Sequence, residues 1–176
     1  MDTLAALASR RSIKRFAEQP VPRESLEKLL QAAYDAPSGA NKHPRQFIVV
    51  TGREALDRLA GTHPHCGWLK SAQAAIAILG EADRSRYWLE DCCVAAQNVW
   101  IAATALGIGL AWGAMYQSDD AEETARREAV VREVLGIPTT LRVPIVLGLG
   151  LPAAPVPERK RPALETMVYW ERYGRI

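Results

Sequence analysis

Cysteine is scarce in this 176-residue chain: Cys66, Cys92 and Cys93 are the whole complement, and no C-x-x-C spacing occurs. An odd count without that spacing supplies no disulfide framework, and it fits a reducing, cytoplasmic compartment. Charge of one sign is also lacking. Lys and Arg total 22 against 20 Asp and Glu, a net charge of +2. A nucleic-acid protein needs a basic excess tracking the phosphates, so that class is set aside. Neither G-x-S-x-G nor G-x-x-x-x-G-K-[ST] is present, which removes the nucleophile elbow and the P-loop. Gly107, Gly109 and Gly113 miss the dinucleotide fingerprint by one residue and follow a helical stretch rather than a strand. His63-Pro64-His65-Cys66 packs possible metal ligands together, but no second pair at zinc spacing accompanies it, so no metal is expected. Met1 to Ala8 runs straight into Arg10 with no basic region ahead of it, so no targeting segment is read.

One stretch lacks charge altogether, from Cys92 to Ser118. Its length would allow a membrane span. Gln97, Asn98, Thr104 and three glycines interrupt it, and a buried helix followed by a buried strand is the better reading.

Hydrophobic residues make up 48% and charged residues 24%, the balance of one globular domain with a substantial core. A first helix, capped by Asp2 or Thr3, should reach about Arg11. A second starts at Pro22, with Leu26, Leu29, Leu30, Ala33 and Tyr34 on one face. Strands are expected over 46–51, 74–79 and 143–150, with a strand or extended loop over 110–116. Short and amphipathic helices are expected over 54–60 and 122–135, and 63–68 reads as loop. The helix from about Arg86 to Leu106 is apolar all round in its second half, which suggests a place at the centre of an oligomer. Beyond Gly150 come Pro152, Pro155, Pro157 and Pro162, then Leu164, Met167, Val168, Tyr169, Trp170 and Tyr173. Such side chains are costly to leave in water, so 151–176 reads as an arm of a single 1–176 domain, docking on a second subunit.

The basic residues gather at two places. Four of the six residues from 10 to 15 are basic, with Ser12 among them, and Arg159-Lys160-Arg161 answers them near the other end. Together they could grip a phosphate by bidentate Arg contacts and a hydroxyl. Taken singly, each has a plainer reading: a solvated helix end, a solvated loop, a turn at Pro37–Asn41, a core Trp112.

Their order along the chain resembles the nitroreductase family of FMN-dependent oxidoreductases. Arg10, Arg11, Ser12, Ile13, Lys14 and Phe16 fit the family's opening pattern R-[RH]-S-[IVT]-[RK]-x-[FY]. Ala36, Pro37, Ser38, Asn41, Pro44 and Phe47 fit A-P-S-x-x-N-x-Q-P-W-x-F, with His43 where Gln is usual and Arg45 where Trp is usual. Trp112-Gly113-Ala114 resembles W-[IRM]-G, with Ala114 at the usual glycine, and Gly150-Leu151-Pro152 followed by Arg159-Lys160-Arg161 matches the family's ending.

The resemblance implies an α+β fold: a central, mainly antiparallel sheet flanked by helices, in an intertwined homodimer with two FMN at the interface. It implies that Arg10, Arg11, Ser12, Arg159 and Arg161 hold the FMN phosphate and ribityl end. Lys14 would lie at the flavin N1/O2 edge and tune its potential. Pro37, Ser38 and Asn41 would reach the FMN held mainly by the other subunit, and Trp112, Gly113 and Ala114 would run by the N5/O4 edge. The implied activity is two-electron transfer from NADH or NADPH to a nitroaromatic, quinone or similar small-molecule acceptor, by a ping-pong hydride route with no acid–base side chain. Dehydrogenation or reductive dehalogenation on the same scaffold, or FMN binding without turnover, stand as alternatives.

Overall fold

A computed structural model describes residues 1–156, 158 and 161–174. Its elements run α1 (Thr3–Ser9), α2 (Arg23–Tyr34), β1 (Arg45–Val50), α3 (Arg53–Ala60), β2 (Ala74–Gly80), α4 (Trp88–Ala105), β3 (Gly109–Ala114), α5 (Ala121–Leu135) and β4 (Arg142–Gly150). Three 3-10 stretches intervene, at Gly39–Asn41, Pro64–Lys70 and Leu164–Thr166.

The four strands form one sheet in the order β1-β2-β4-β3, each neighbouring pair antiparallel. Helices cover both faces, so the central strands β2 and β4 are buried almost throughout. Their sequences are accordingly continuous apolar runs rather than alternations. On one face Ile76, Ile78, Ile145 and Leu147 pack against Leu26 and Leu29 of α2 and Ala95, Ala96 and Val99 of α4. On the other, Ala75, Ala77, Val143 and Val146 meet Leu56 and Leu59 of α3, Trp68, Leu69 and Val131 of α5. The fold is thus α+β, a central antiparallel sheet flanked by helices.

Several boundaries differ from the sequence reading, each for a local reason. α1 ends at Ser9 because Arg10 adopts φ −51, ψ 130 and leaves the helix. The chain then turns extended: Ser12 bridges Leu110 in parallel, the Ile13 N–H donates to the Leu110 carbonyl at 2.9 Å, and Phe16 bridges Pro152. The approach is close. A Cβ on Gly109 would lie 2.9 Å from Ile13 Cβ, and one on Gly150 would lie 2.8 Å from Phe16 Cβ. The 63–68 segment is a 3-10 stretch and not a loop; its Trp68 and Leu69 are core residues, which a short turn reveals by no period. α4 is not buried on all sides within one chain, since Val94, Gln97 and Ala105 are exposed. The arm's Leu164, Met167, Trp170 and Tyr173 are likewise exposed, Tyr173 to 91%. Among the described residues no helix is long and apolar enough to cross a membrane.

Candidate functional site

The predicted site residues fall into two groups at opposite edges of the sheet. The first lies along β3. Arg10 stands at the end of α1 with its guanidinium 4.3 Å from the centre of the Trp100 ring, a cation–π contact. Trp100 in turn donates its indole N–H to the Arg11 carbonyl at 3.2 Å and lies 6.0 Å from Trp112. Arg11 Nη1 donates to the Ala8 carbonyl at 3.0 Å, and Arg161 Nη2 donates to the same carbonyl at 2.9 Å. Two guanidiniums on one exposed acceptor bring together clusters far apart in sequence, and their mutual repulsion favours an anion beside them. Ser12 and Lys14 are both exposed on the extended segment that follows. Arg159 lies outside the described residues.

The edge strand itself carries an opening. The Leu110 carbonyl faces outward to Ile13, and the Ala114 carbonyl faces outward to Arg127 Nη1 at 2.9 Å. By the alternation of an antiparallel ladder, Trp112 also turns its N–H and C=O outward, between those two contacts. Among the described residues neither group has a partner there. Gly113 is different: it pairs inward with Val146, and a Cβ on it would meet Cys66 Sγ at 2.9 Å. Its smallness serves the packing of Cys66 and not the open edge.

Behind that edge lies a His–Cys contact. His63 Nδ1 accepts the His65 N–H at 3.1 Å, and its Nε2 is 3.1 Å from Cys66 Sγ. Burial, with Arg127 and His65 adding repulsion, pushes the His63 pKa down. Burial pushes the Cys66 thiol up to about 11, against the opposing pull of Arg127 and Lys14. Both groups are therefore neutral at pH 7, the reverse of the thiolate–imidazolium pair that a nucleophilic cysteine needs.

The second group is the 36–43 loop, which leads into β1. Arg45 clasps it: Nη1 donates to the Pro37 carbonyl at 2.7 Å and the Asp91 carbonyl at 3.0 Å, and Nη2 to the Ala36 carbonyl at 2.6 Å. Asp91, buried in the first turn of α4, accepts the Gly39 N–H on Oδ1 at 2.9 Å, while its Oδ2 is buried without a partner. Ser38 Oγ accepts the His43 N–H at 2.9 Å, and the His43 ring meets Asn41 Oδ1 at 2.7 Å. Ala40, Asn41 and His43 all hold positive φ, at 50, 55 and 46. Residues with a Cβ hold such angles at a cost of about 1–2 kcal/mol each, so the loop is built by its clamps and not by local preference.

The two groups are not adjacent within one chain. β1 and β3 are separated by β2 and β4, so the edges stand three strand spacings apart, about 14 Å. Asp91, Trp100 and Arg127 were not singled out from sequence. Asp91 had a faint signal, as the last charge before the uncharged stretch; Trp100 and Arg127 had none, because their contacts lie far away in the chain.

The nitroreductase family model matches residues 7–74 and 61–151. The chain belongs to the nitroreductase family. A Methanothermobacter thermautotrophicus protein provisionally named NADH dehydrogenase/NAD(P)H nitroreductase is 35% identical over 156 residues, 87% of this chain and 78% of that one. The crystal structure of a similarly named protein from Parabacteroides distasonis superposes with a TM-score of 0.87 at 31% identity, covering 97% of this chain and 98% of that chain. An FMN-dependent nitroreductase from Clostridium difficile gives a TM-score of 0.85 at 26% identity, with 97% and 99% covered. The chain is therefore an oxidoreductase of nitroreductase type. Within that family its His43 and Arg45 depart from the usual Gln and Trp, and both are spent on fixing the 36–43 loop.

Proposed function

We propose that this nitroreductase-family chain is an FMN-dependent enzyme that carries two electrons from NADH or NADPH to a nitroaromatic, quinone or similar organic acceptor, and that it works in the cytoplasm as an intertwined homodimer. The observation that carries the reading is the pairing of the Arg11 and Arg161 guanidiniums beside an unpaired stretch of β3 backbone. A cation cluster of this kind suits the phosphate of a mononucleotide, and an open edge at Trp112 suits the polar rim of a flavin.

Arg10, Arg11, Ser12 and Arg161 would hold the phosphate end, and Arg159 would add to them. Lys14 would place an ammonium where the reduced ring carries negative charge, stabilising it electrostatically. The outward N–H and C=O of Trp112 would fix the ring edge without a side chain over its face, with Ala114 next to it. FMN held by these residues would supply the chemistry of two-electron, hydride-level transfer between the nicotinamide and the acceptor.

The 36–43 loop stands on the other edge of its own sheet, so Pro37, Ser38 and Asn41 would complete the site of a second subunit. The arm, residues 151–176, whose Trp170 and Tyr173 are exposed, would cover that subunit and bury its aromatic side chains there. The test is anaerobic mixing of the purified protein with NADH or NADPH. Prompt bleaching of one FMN per chain is expected. A flavin-loaded protein that neither donor reduces would leave only binding without turnover.

A further inference from the structure

We propose that a basic cavity beside the Gly39–Asn41 turn receives the 2′-phosphate of NADPH and makes NADPH the preferred donor; this rests on the oxidoreductase reading above. The cavity, about 370 Å³, lies between the turn and the 83–87 segment that leads into α4. Lys42, Arg84 and Arg86 line it against a single acid, Asp83. Arg84 is engaged by Glu81 at 3.3 Å. Arg86 is held differently. Its Nη2 donates to the Tyr87 hydroxyl at 2.7 Å and its guanidinium lies 4.8 Å from the centre of that ring. The contact fixes the guanidinium plane while leaving other N–H donors for an anion. Lys42 is exposed, and among the described residues it forms no ion pair.

One wall is closely packed. Tyr87 packs so closely on the turn that a Cβ on Gly39 would lie 2.6 Å from its Cδ2. Gly39 is tied to Asp91, and the positive-φ Ala40 and Asn41 follow it. A closely packed turn beside two available cations gives an anion a defined place to sit. A phosphate monoester carries nearly two charges at neutral pH, whereas each phosphate of the linking pyrophosphate carries about one, so two neighbouring cations favour the monoester. The same turn carries Pro37, Ser38 and Asn41, which the reading above sets against the partner's cofactor, so a donor bound over that cofactor has this cavity beside it.

The test compares kcat/KM for NADPH and NADH on the FMN-loaded enzyme and on Lys42→Gln/Arg86→Gln. The native enzyme should favour NADPH by about tenfold or more, and the variant should lose at least that factor in the ratio, through KM for NADPH, as the loss of charge-assisted bonds requires. Competitive inhibition by 2′,5′-ADP, but not by 5′-AMP, should weaken in parallel. No preference in the native enzyme, an unchanged ratio in the variant, or equal losses for both donors would overturn the assignment. If neither donor reduces the bound FMN, the oxidoreductase reading is what has failed. Calorimetric titration of the same flavin-loaded protein with 2′,5′-ADP then still decides the cavity: binding lost in the variant supports it, and binding retained, or absent from the native protein, refutes it.

Discussion

The two edges of the sheet are organised on different principles. At β3 the chain gathers charge: Arg11 and Arg161 share one exposed carbonyl, Arg11 also donates to the Arg10 carbonyl at 2.8 Å, and Lys14 is exposed. At β1 it gathers restraint, with Arg45 and Asp91 clamping a loop whose backbone would not choose its own angles. One edge concentrates charge, the other presents a restrained shape. Their separation across the sheet within one chain is the reason for the homodimer proposed above.

The sharpest way to break that contrast is to discharge the β3 edge. Arg10→Ala with Arg161→Ala removes two charge-assisted contacts, each worth about 1.5–3 kcal/mol, so FMN should bind on the order of 10²–10⁴-fold more weakly. Riboflavin, which lacks the phosphate, should be affected far less. Fluorescence titrations with both ligands read the difference, and equal losses would move the phosphate elsewhere.

The β1 edge should answer in stability instead. Asp91→Ala strands the Gly39 N–H and should cost about 1–3 kcal/mol in urea unfolding. Asp91→Asn keeps an acceptor for that N–H and removes the charge from the orphaned Oδ2, so it should cost clearly less. An Asn variant as damaged as the Ala variant would show that the charge, and not the Gly39 contact, holds the loop.

These edges were unequally legible. The basic run and the strand through Trp112 could be read because residue type alone carries them; the phosphate they are proposed to grip is an inference from their chemistry. α2 and the buried strands followed from apolar periodicity and apolar runs, with ends within a few residues. The β1 loop could not be read in the same way. Nothing in Ala40 or His43 announces positive φ, and Arg45 reaches Asp91 across 46 positions. The apolar residues of α4 and the arm imply a covering partner, and one chain alone leaves Val94, Met167, Trp170 and Tyr173 exposed. The packing of Gly113 on Cys66 could not be read either, because it joins residues far apart in the chain.

A smaller effect should separate holding the cofactor from tuning it. Lys14→Met keeps the stem and removes the ammonium. With an ammonium at the N1/O2 edge, the anionic reduced flavin is favoured over the neutral oxidised one. The variant should therefore retain FMN, show a lower midpoint potential in a redox titration and be reduced more slowly by the nicotinamide. A flavin-loaded variant with an unchanged potential would put Lys14 away from that edge and leave β3 with phosphate binding alone.

The smallest effect concerns how the open edge is bounded. Arg127 fixes the Ala114 carbonyl and is itself held by Glu123 at 2.7 Å. Hydrogen bonds from Arg126 and Arg127 lower the Glu123 pKa from 4.5 to about 2. A carboxylate with a depressed folded-state pKa contributes stability that is whole above its unfolded value and disappears as pH falls through the folded one. The contribution of Glu123 should thus be complete above about pH 4.5 and lost on descent towards pH 2. Glu123→Gln should flatten the pH dependence of unfolding in that window and change little else. If the variant also weakens FMN at neutral pH, Arg127 does more than close the strand: its placement by Glu123 sets how much of the Trp112 edge is open to the cofactor.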